Sequence, residues 1–327
     1  RAAFSDFNGT LEHELGAKDK LRLSGYFSKD SFQFDPDTAY SYSNQNYALS
    51  WTHYFNDALE ATFSVGQDAY DFEVEGEDNP LNAYQYRFDI QQQFVKAQFR
   101  QEKGDRHLLS YGVHGIRYQL NPGEILPFGQ ESGVIPDQVA PESAMDWSLY
   151  FGDEFEINEQ WALSGGLRYN FYTFLGPQTI PTYAEGEPYL NENIIGEARF
   201  QSGDPVQTYH GPEFRFSARY ALSNQSSFKA GVNSMRQNIH LLSNSSVITP
   251  TDTWKLSDSF LKPQQGIQYA LGYFKNMNQG AIEFSAELYY RSMQNLLDYR
   301  SGASIVLNDR IEQEVLVTKG KAYGMEL

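Results

Sequence analysis

The chain contains long runs in which apolar and polar residues alternate. A two-residue period of this kind places successive side chains on opposite faces of a strand. In residues 161–171, one side carries Trp161, Leu163, Leu167, Tyr169 and Phe171, and the other carries Ser164, Gly166, Arg168 and Asn170. This run therefore predicts a strand with one apolar and one polar face.

The same period recurs in about thirteen runs, most of them about 11 to 15 residues long. Strands of soluble sandwiches typically have about 5 to 6 residues, whereas a strand that crosses a membrane at a tilt needs about 9 to 11. The length of the runs therefore favours strands that span a membrane and project beyond it.

One run changes phase. In residues 84–99 the apolar positions Tyr84, Tyr86, Phe88 and Ile90 are out of step with Val95, Ala97 and Phe99. An extra residue in one strand of a pair would restore the alternation. The pattern predicts a β-bulge near Gln92.

Short and long connections alternate between the runs. The short ones are "GAKD", "ND", "QEKGDR", "NE", "SNQS" and "NMNQG", and the long ones cover roughly 28–40, 74–83, 121–145, 175–211, 241–263 and 295–308. Outer-membrane barrels have short turns at the periplasmic end and long loops at the extracellular end. The predicted fold is all-β, an antiparallel meander that forms part of a large transmembrane β-barrel.

Composition excludes several other classes of protein. The net charge is −17, which opposes binding to nucleic acid, and no run of about 18 apolar residues could form a membrane-spanning helix. Cysteine is absent, so disulfides, thiol catalysis and cysteine metal sites are excluded.

The residues from 212 onward resemble a known family. "FSARYALSNQSSFKAGVNSMRQNIHLLSNSSVITPTDTWKLSDSFLKPQQGIQYALGYFKN" and "EFSAELYYRSMQNLLDYRSGASIVLNDRIEQEVLVTKGKAYGMEL" resemble the barrel of TonB-dependent outer-membrane receptors, in particular the group common in Bacteroidetes. Upstream, "EFEINEQWALSGGLRYNFY" is similar to a recurring turn and strand of the same family.

The resemblance implies a Gram-negative outer-membrane protein that binds a scarce extracellular small molecule, glycan or peptide and imports it. Implied partners are outer-membrane lipid, the TonB complex acting through a plug domain, and a surface lipoprotein. Residues 1–327 would be a partial barrel domain, about thirteen strands of a roughly 22-stranded barrel. The plug and further C-terminal strands are expected outside this sequence.

Candidate ligand-binding residues lie in the long connections. Tyr183, Tyr189 and Trp254 could stack on a ligand, although loop aromatics more often pack within their own loop. His240, in "MRQNIHLLSN", could contact a ligand or simply hydrogen-bond neighbouring strand ends.

No catalytic residue, metal site or cofactor is predicted. The sequence has no HExxH pair, G-x-S-x-G elbow, P-loop or dinucleotide fingerprint. The acidic runs "DFEVEGEDNP" and "YAEGEPYLNENIIGE" lack the spacing of an EF-hand, so they are interpreted as solvated loops rather than calcium sites.

Two alternative functions remain open at this stage. The first is a passive porin or a structural barrel in a larger outer-membrane complex. The second is a soluble extracellular β-sheet adhesin. The identity of a ligand is not predicted, because receptors for different ligands share the same wall and differ in their loops.

Overall fold

A computed structural model describes residues 1–35, 37–243, 252–277 and 281–327. In these ranges, thirteen antiparallel strands pair in chain order to form one sheet. They are β1 (Ala2–Glu14), β2 (Asp19–Asp35), β3 (Thr38–Asn56), β4 (Leu59–Gly76), β5 (Tyr84–Lys103), β6 (His107–Pro127), β8 (Glu142–Glu156), β9 (Trp161–Leu175), β12 (Pro205–Ser223), β13 (Ser226–Gln237), β16 (Gln264–Met277), β17 (Ile282–Tyr299) and β18 (Val315–Glu326).

Shorter elements lie in the connections. β7 (Asp137–Gln138) pairs with β6, and two hairpins stand apart from the main sheet. The hairpins are β10 (Gln178–Tyr183) with β11 (Ile194–Phe200), and β14 (Ile239–Leu242) with β15 (Thr253–Leu256). Single 3-10 turns occur at Pro80–Asn82, Asn191–Asn193 and Ile311–Gln313.

The predicted meander is confirmed. Neighbours in sequence are neighbours in the main sheet, and every pairing in it is antiparallel. No helix in the described parts of the chain is long and apolar enough to cross a membrane.

The predicted alternation of connections is largely confirmed. Residues 57–58, 157–160 and 224–225 join neighbouring strands tightly at one end of the sheet, which we call the lower end. The long connections lie at the upper end. The turn at 276–280 and the loop at 241–263 fall partly outside the described residues.

Two predicted loops are shorter than the sequence suggested. The expected loop at 28–40 is wrong, because β2 and β3 continue as a hairpin until Asp35 pairs with Thr38. Likewise Asp71, Glu73 and Glu75 of the acidic run belong to β4 and pair with β5. These strand extensions were not predicted, because polar residues on both faces interrupt the alternation of apolar and polar positions there.

The two faces of the sheet differ in chemistry. We call the face that carries the β14–β15 hairpin the inner face and the opposite one the outer face. Apolar side chains cover the lower part of the outer face, where Leu149 is 62% exposed and Leu167 is 58% exposed. The described buried core lies instead at the upper end of the inner face.

The bulge predicted near Gln92 is wrong. Gln92 pairs in register with Asp68 of β4 and with Tyr118 of β6, and the register shift between β5 and β6 lies between Arg87 and Asp89. Outward Val95 is exposed, whereas inward Phe88 is buried. The apolar phase changes because apolar side chains face outward in the lower part of the strand and inward in the upper part.

Candidate functional site

The β14–β15 hairpin lies on the inner face and buries an apolar core against the wall. Leu256 of the hairpin is fully buried in a cluster with wall residues that come from three strands. Trp254 and Ile239 pack around this cluster from the hairpin side. The wall residues are Leu120 of β6, Ala144 of β8, and Tyr172 and Phe174 of β9.

A largely buried lysine connects the hairpin to Glu142, the first residue of β8. Lys255 Nζ forms an ion pair with the Glu142 carboxylate and a second, at 2.9 Å, with Asp258 Oδ2. Glu142 Oε2 also accepts a hydrogen bond from the backbone N–H of Leu256 at 2.8 Å. Glu142 and Asp258 are buried, so the three charged groups are largely removed from water.

The charge of Lys255 is stabilised by the two carboxylates around it. Burial alone would lower the pKa of Lys255, but Asp258 and Glu142 together raise it above the usual value and keep the ammonium charged. Removing either partner of a buried pair leaves an uncompensated charge, so the contact specifies where the hairpin lies.

A second polar contact joins the base of the hairpin to the wall. Asp146 accepts hydrogen bonds from Asn170 Nδ2 at 2.5 Å and from Asn238 Nδ2 at 2.8 Å. Asp146 and Asn170 belong to β8 and β9, whereas Asn238 directly precedes β14. The hydrogen bond from Asn238 to Asp146 of β8 therefore fixes the position at which the chain leaves β13 and enters the hairpin.

His240 is part of the hairpin, in β14, and its side chain does not reach the surface. Its side chain is fully buried, and its Nε2 lies 2.8 Å from Ser257 Oγ. Its Nδ1 has no hydrogen-bond partner in the described parts of the chain. Burial lowers the pKa of His240 to about 4, so the imidazole is neutral at pH 7.

His240 and Ser257 form a hydrogen-bonded pair in which both side chains are fully buried. A nucleophilic serine needs a histidine that a third group orients through its other ring nitrogen. Among the residues that the structure describes, that nitrogen of His240 has no partner, and Ser257 is itself fully buried. The pair acts as an internal hydrogen bond of the hairpin.

Three upper loops contact one another. We call residues 176–204 loop A, 238–263 loop B and 300–314 loop C. Tyr183 of loop A donates a hydrogen bond to Glu312 Oε1 of loop C at 2.7 Å and accepts one from Gln313 Nε2 at 2.9 Å. Asn191 Oδ1 of loop A accepts a hydrogen bond from Arg310 at 2.8 Å.

An aromatic cluster joins loop B to the same contact. The rings of Tyr183 and Tyr189 are 4.8 Å apart, and both approach Phe260 of loop B, at 5.6 Å and 5.2 Å. Tyr189 is 44% exposed. Two of the predicted ligand-binding residues, Tyr183 and Tyr189, are thus in contact with each other. The ring of Tyr189 remains partly open to solvent.

The other two candidates have different surroundings. Trp254 lies against the apolar core beneath the hairpin, and His240 is enclosed within the same hairpin. Ligand contact by any of the four residues stays a prediction.

Sequence analysis missed the residues that position the hairpin. Glu142 lies 113 positions before Lys255, and no sequence motif connects it with Lys255 and Asp258. Phe260 was missed for the same reason. In the described ranges, no group of three or more histidine, aspartate or glutamate side chains is arranged to hold a metal ion.

Solved structures with a similar fold include two receptors and a transporter. The alcaligin outer-membrane receptor FauA from Bordetella pertussis is 15% identical, with a TM-score of 0.63 over 99% of this chain and 49% of its own. The ferric-catecholate import receptor Fiu from E. coli K12 is 12% identical, with a TM-score of 0.65 over 99% of this chain and 54% of its own.

A copper transporter, OprC, is 12% identical, with a TM-score of 0.66 over 98% of this chain and 49% of its own. This chain therefore spans about half the length of these structures. No curated protein matches it in sequence.

The family model for the β-barrel of TonB-dependent receptor-like proteins matches residues 2–327, almost the whole chain. Its strands, its exposed apolar outer face and its long upper loops agree with that match. The chain belongs to the TonB-dependent receptor-like β-barrel family, which places it in the outer membrane of a Gram-negative bacterium.

Proposed function

We propose that this chain is the wall and extracellular loops of a receptor that binds a scarce ligand outside the cell and imports it with energy delivered by TonB. In the whole receptor, a plug domain on the inner side of the wall would receive that energy. We retain the resemblance to the Bacteroidetes group, and a surface lipoprotein as a partner, within this proposal.

The observation that carries the proposal is the hairpin on the inner face. A loop folded onto the inner face narrows the space there, which favours selective binding over unselective passage. Here Lys255 fixes loop B to the wall through Glu142, and Phe260 packs it against loop A. The result is a preorganised surface above the inner face, with the open ring of Tyr189 at its margin.

The structural neighbours suggest which probes to use first. Their names describe an alcaligin receptor, a ferric-catecholate importer and a copper transporter. We therefore propose a metal chelate as the first ligand class to test against glycans and peptides. The exposed Tyr189 ring is suited to stacking on the planar or apolar part of such a ligand.

Uptake by cells that carry the full-length receptor tests the proposal. Labelled ferric catecholate, haem and Cu²⁺, followed by a glycan and a peptide library, would be supplied to the wild type, to a strain lacking the receptor and to a strain lacking TonB. We expect at least one probe to accumulate only when both proteins are present.

Tyr189→Ala should lower that uptake, with Tyr290→Ala on the outer face as its control. Accumulation that requires the receptor but survives loss of TonB would show a passive porin instead. A receptor whose loss affects no probe would overturn the proposal in favour of a structural barrel.

A further inference from the structure

The contact between loops A and C contains a buried carboxylate that has no cation of its own. The side chain of Glu312 in loop C is buried and accepts hydrogen bonds from the Tyr183 hydroxyl, at 2.7 Å, and from its own backbone N–H. In the part of the chain that the structure describes, no ammonium or guanidinium group forms an ion pair with it. Charged groups inside proteins are ordinarily paired, so keeping this carboxylate ionised is costly.

The nearest buried cation already serves two other carboxylates. Lys255 of loop B pairs with Glu142 and with Asp258, and both of these side chains are buried. At longer range Lys255 attracts the charge of Glu312, whereas Asp258 repels it. When all four groups are ionised, one positive charge lies among three negative charges. The junction of the three loops is therefore short of positive charge.

The guanidinium closest to Glu312 in sequence is also engaged elsewhere. Arg310 precedes Glu312 by two residues and extends toward loop A. It donates a hydrogen bond to Asn191 Oδ1 at 2.8 Å, and its other terminal nitrogen lies 3.9 Å from Glu197 Oε1. Loop C thus contributes no cation that compensates Glu312.

The hydrogen bonds at this contact tolerate a neutral Glu312. Gln313 Nε2 donates to the Tyr183 hydroxyl at 2.9 Å, so the hydroxyl proton itself is directed at Glu312 Oε1. An added proton on Oε2 would leave both of these hydrogen bonds in place. Protonation therefore removes the buried charge and keeps the contact between the loops.

Linkage gives the direction of the effect. Burial raises the pKa of Glu312 above its usual value, and Tyr183 and Lys255 oppose this only in part. In an opened loop the exposed carboxyl would return to its usual pKa. The closed contact therefore binds the proton more tightly than the open one, so it is most stable in acid and weakens as the pH rises through the pKa of the closed form.

The same contact holds one of the aromatic rings of the candidate site. The Tyr183 ring lies 4.8 Å from that of Tyr189 and 5.6 Å from that of Phe260. Tyr189 carries the surface that is open to solvent. Closing or opening the contact at Glu312 therefore changes what supports the exposed ring.

We propose that Glu312 is a proton-operated latch between loops A and C, which closes the extracellular surface in acid and releases it as the solution becomes neutral. The consequence for ligand binding rests on the proposed function, because it assumes that Tyr189 contacts the ligand. The latch itself depends only on the two loops.

Hydrogen exchange of the full-length receptor in detergent tests the latch. Protection of residues 300–314 would be measured from about pH 5 to about pH 8 and corrected for the intrinsic pH dependence of amide exchange. Glu312→Gln keeps the shape and hydrogen-bonding capacity of the side chain but cannot ionise. Asp309→Asn is the matched control, because Asp309 is an exposed carboxylate of the same loop.

We expect protection in the wild type and in Asp309→Asn to fall at least about threefold across this range as the proton is lost. Glu312→Gln should resemble the acidic wild type at every pH. The difference between the wild type and Glu312→Gln isolates Glu312 from other groups that titrate in the same range.

A second measurement uses the wild-type carboxylate, so it does not depend on whether Glu312→Gln assembles. Spin labels at Glu185→Cys in loop A and Val306→Cys in loop C occupy exposed positions, and this chain has no cysteine of its own. The distance between the labels should lengthen or broaden as the pH rises.

The same pH dependence in Glu312→Gln as in the wild type would overturn the latch. Protection or label distances that do not change with pH in the wild type would also overturn it. Neither measurement includes uptake, so the latch and TonB-dependent import fail independently.

Discussion

Lys255 donates to the carboxylate of Glu142, 113 positions earlier in the chain. Through this contact, a loop that leaves the wall after β13 returns to the wall at the first residue of β8. Because Asp258 shares the same ammonium group, the loop is held by a buried charge cluster as well as by apolar packing.

Lys255→Met should release the hairpin from the wall. Glu142 and Asp258 would remain buried without their cation, which costs about 3–5 kcal/mol. Hydrogen exchange at the Leu256 amide, which donates to Glu142, would report the loss as faster exchange. Lys262→Met is the matched control, because Lys262 is exposed in the same loop. Similar exchange in the two variants would show that the cluster does not hold the hairpin.

Acidification should weaken hairpin docking through His240. The pKa of this side chain is about 4 in the folded protein and about 6.5 when exposed, so the open hairpin binds more protons between these values. Stability is therefore retained above about pH 6.5 and declines as the pH falls toward 4, by about 3 kcal/mol in total.

The pH dependence of Leu256 exchange in the wild type and in His240→Gln measures this effect. Subtracting the two profiles removes the contributions of Glu142 and other groups. We expect a difference that grows below pH 6.5 and levels off near pH 4. A flat difference would contradict the burial of a neutral imidazole.

Tyr183→Phe should loosen the contact between loops A and C. The hydroxyl donates to Glu312 and accepts from Gln313, so its removal leaves a mostly buried carboxylate without that donor. We expect a cost of about 1–2 kcal/mol, seen as faster hydrogen exchange in residues 300–314. Tyr189→Phe is the control, since its ring contacts are kept. Equal effects would assign the contact to the rings alone.

Leu149→Lys should destabilise the protein in a bilayer. Leu149 is 62% exposed near the middle of β8 on the outer face, where a lysine would face hydrocarbon. The expected cost is about 2–4 kcal/mol, measured by denaturant titration in lipid vesicles. Ile195→Lys, at a 72% exposed position in loop A, should cost little. Comparable losses at both positions would contradict the assignment of the lipid-facing surface.

The sequence by itself determined the strands, their order and the face that meets lipid. Alternation is a local property, because successive side chains of a strand point to opposite faces, and strongly alternating runs such as 161–171 were identified correctly. Short turns such as residues 57–58 require that strands adjacent in sequence also pair in the sheet. The exposed Trp161 and Phe171 confirm the predicted outer face.

Only the tertiary structure decided what covers the upper inner face. The phase change near Gln92 was interpreted as a bulge because a local pattern cannot show that apolar residues above that point pack under a distant loop. A local pattern likewise cannot show that Glu142 pairs with Lys255, or that Tyr183 bonds to Glu312. Each pair joins segments more than 100 residues apart, and such contacts depend on how the wall brings its loops together.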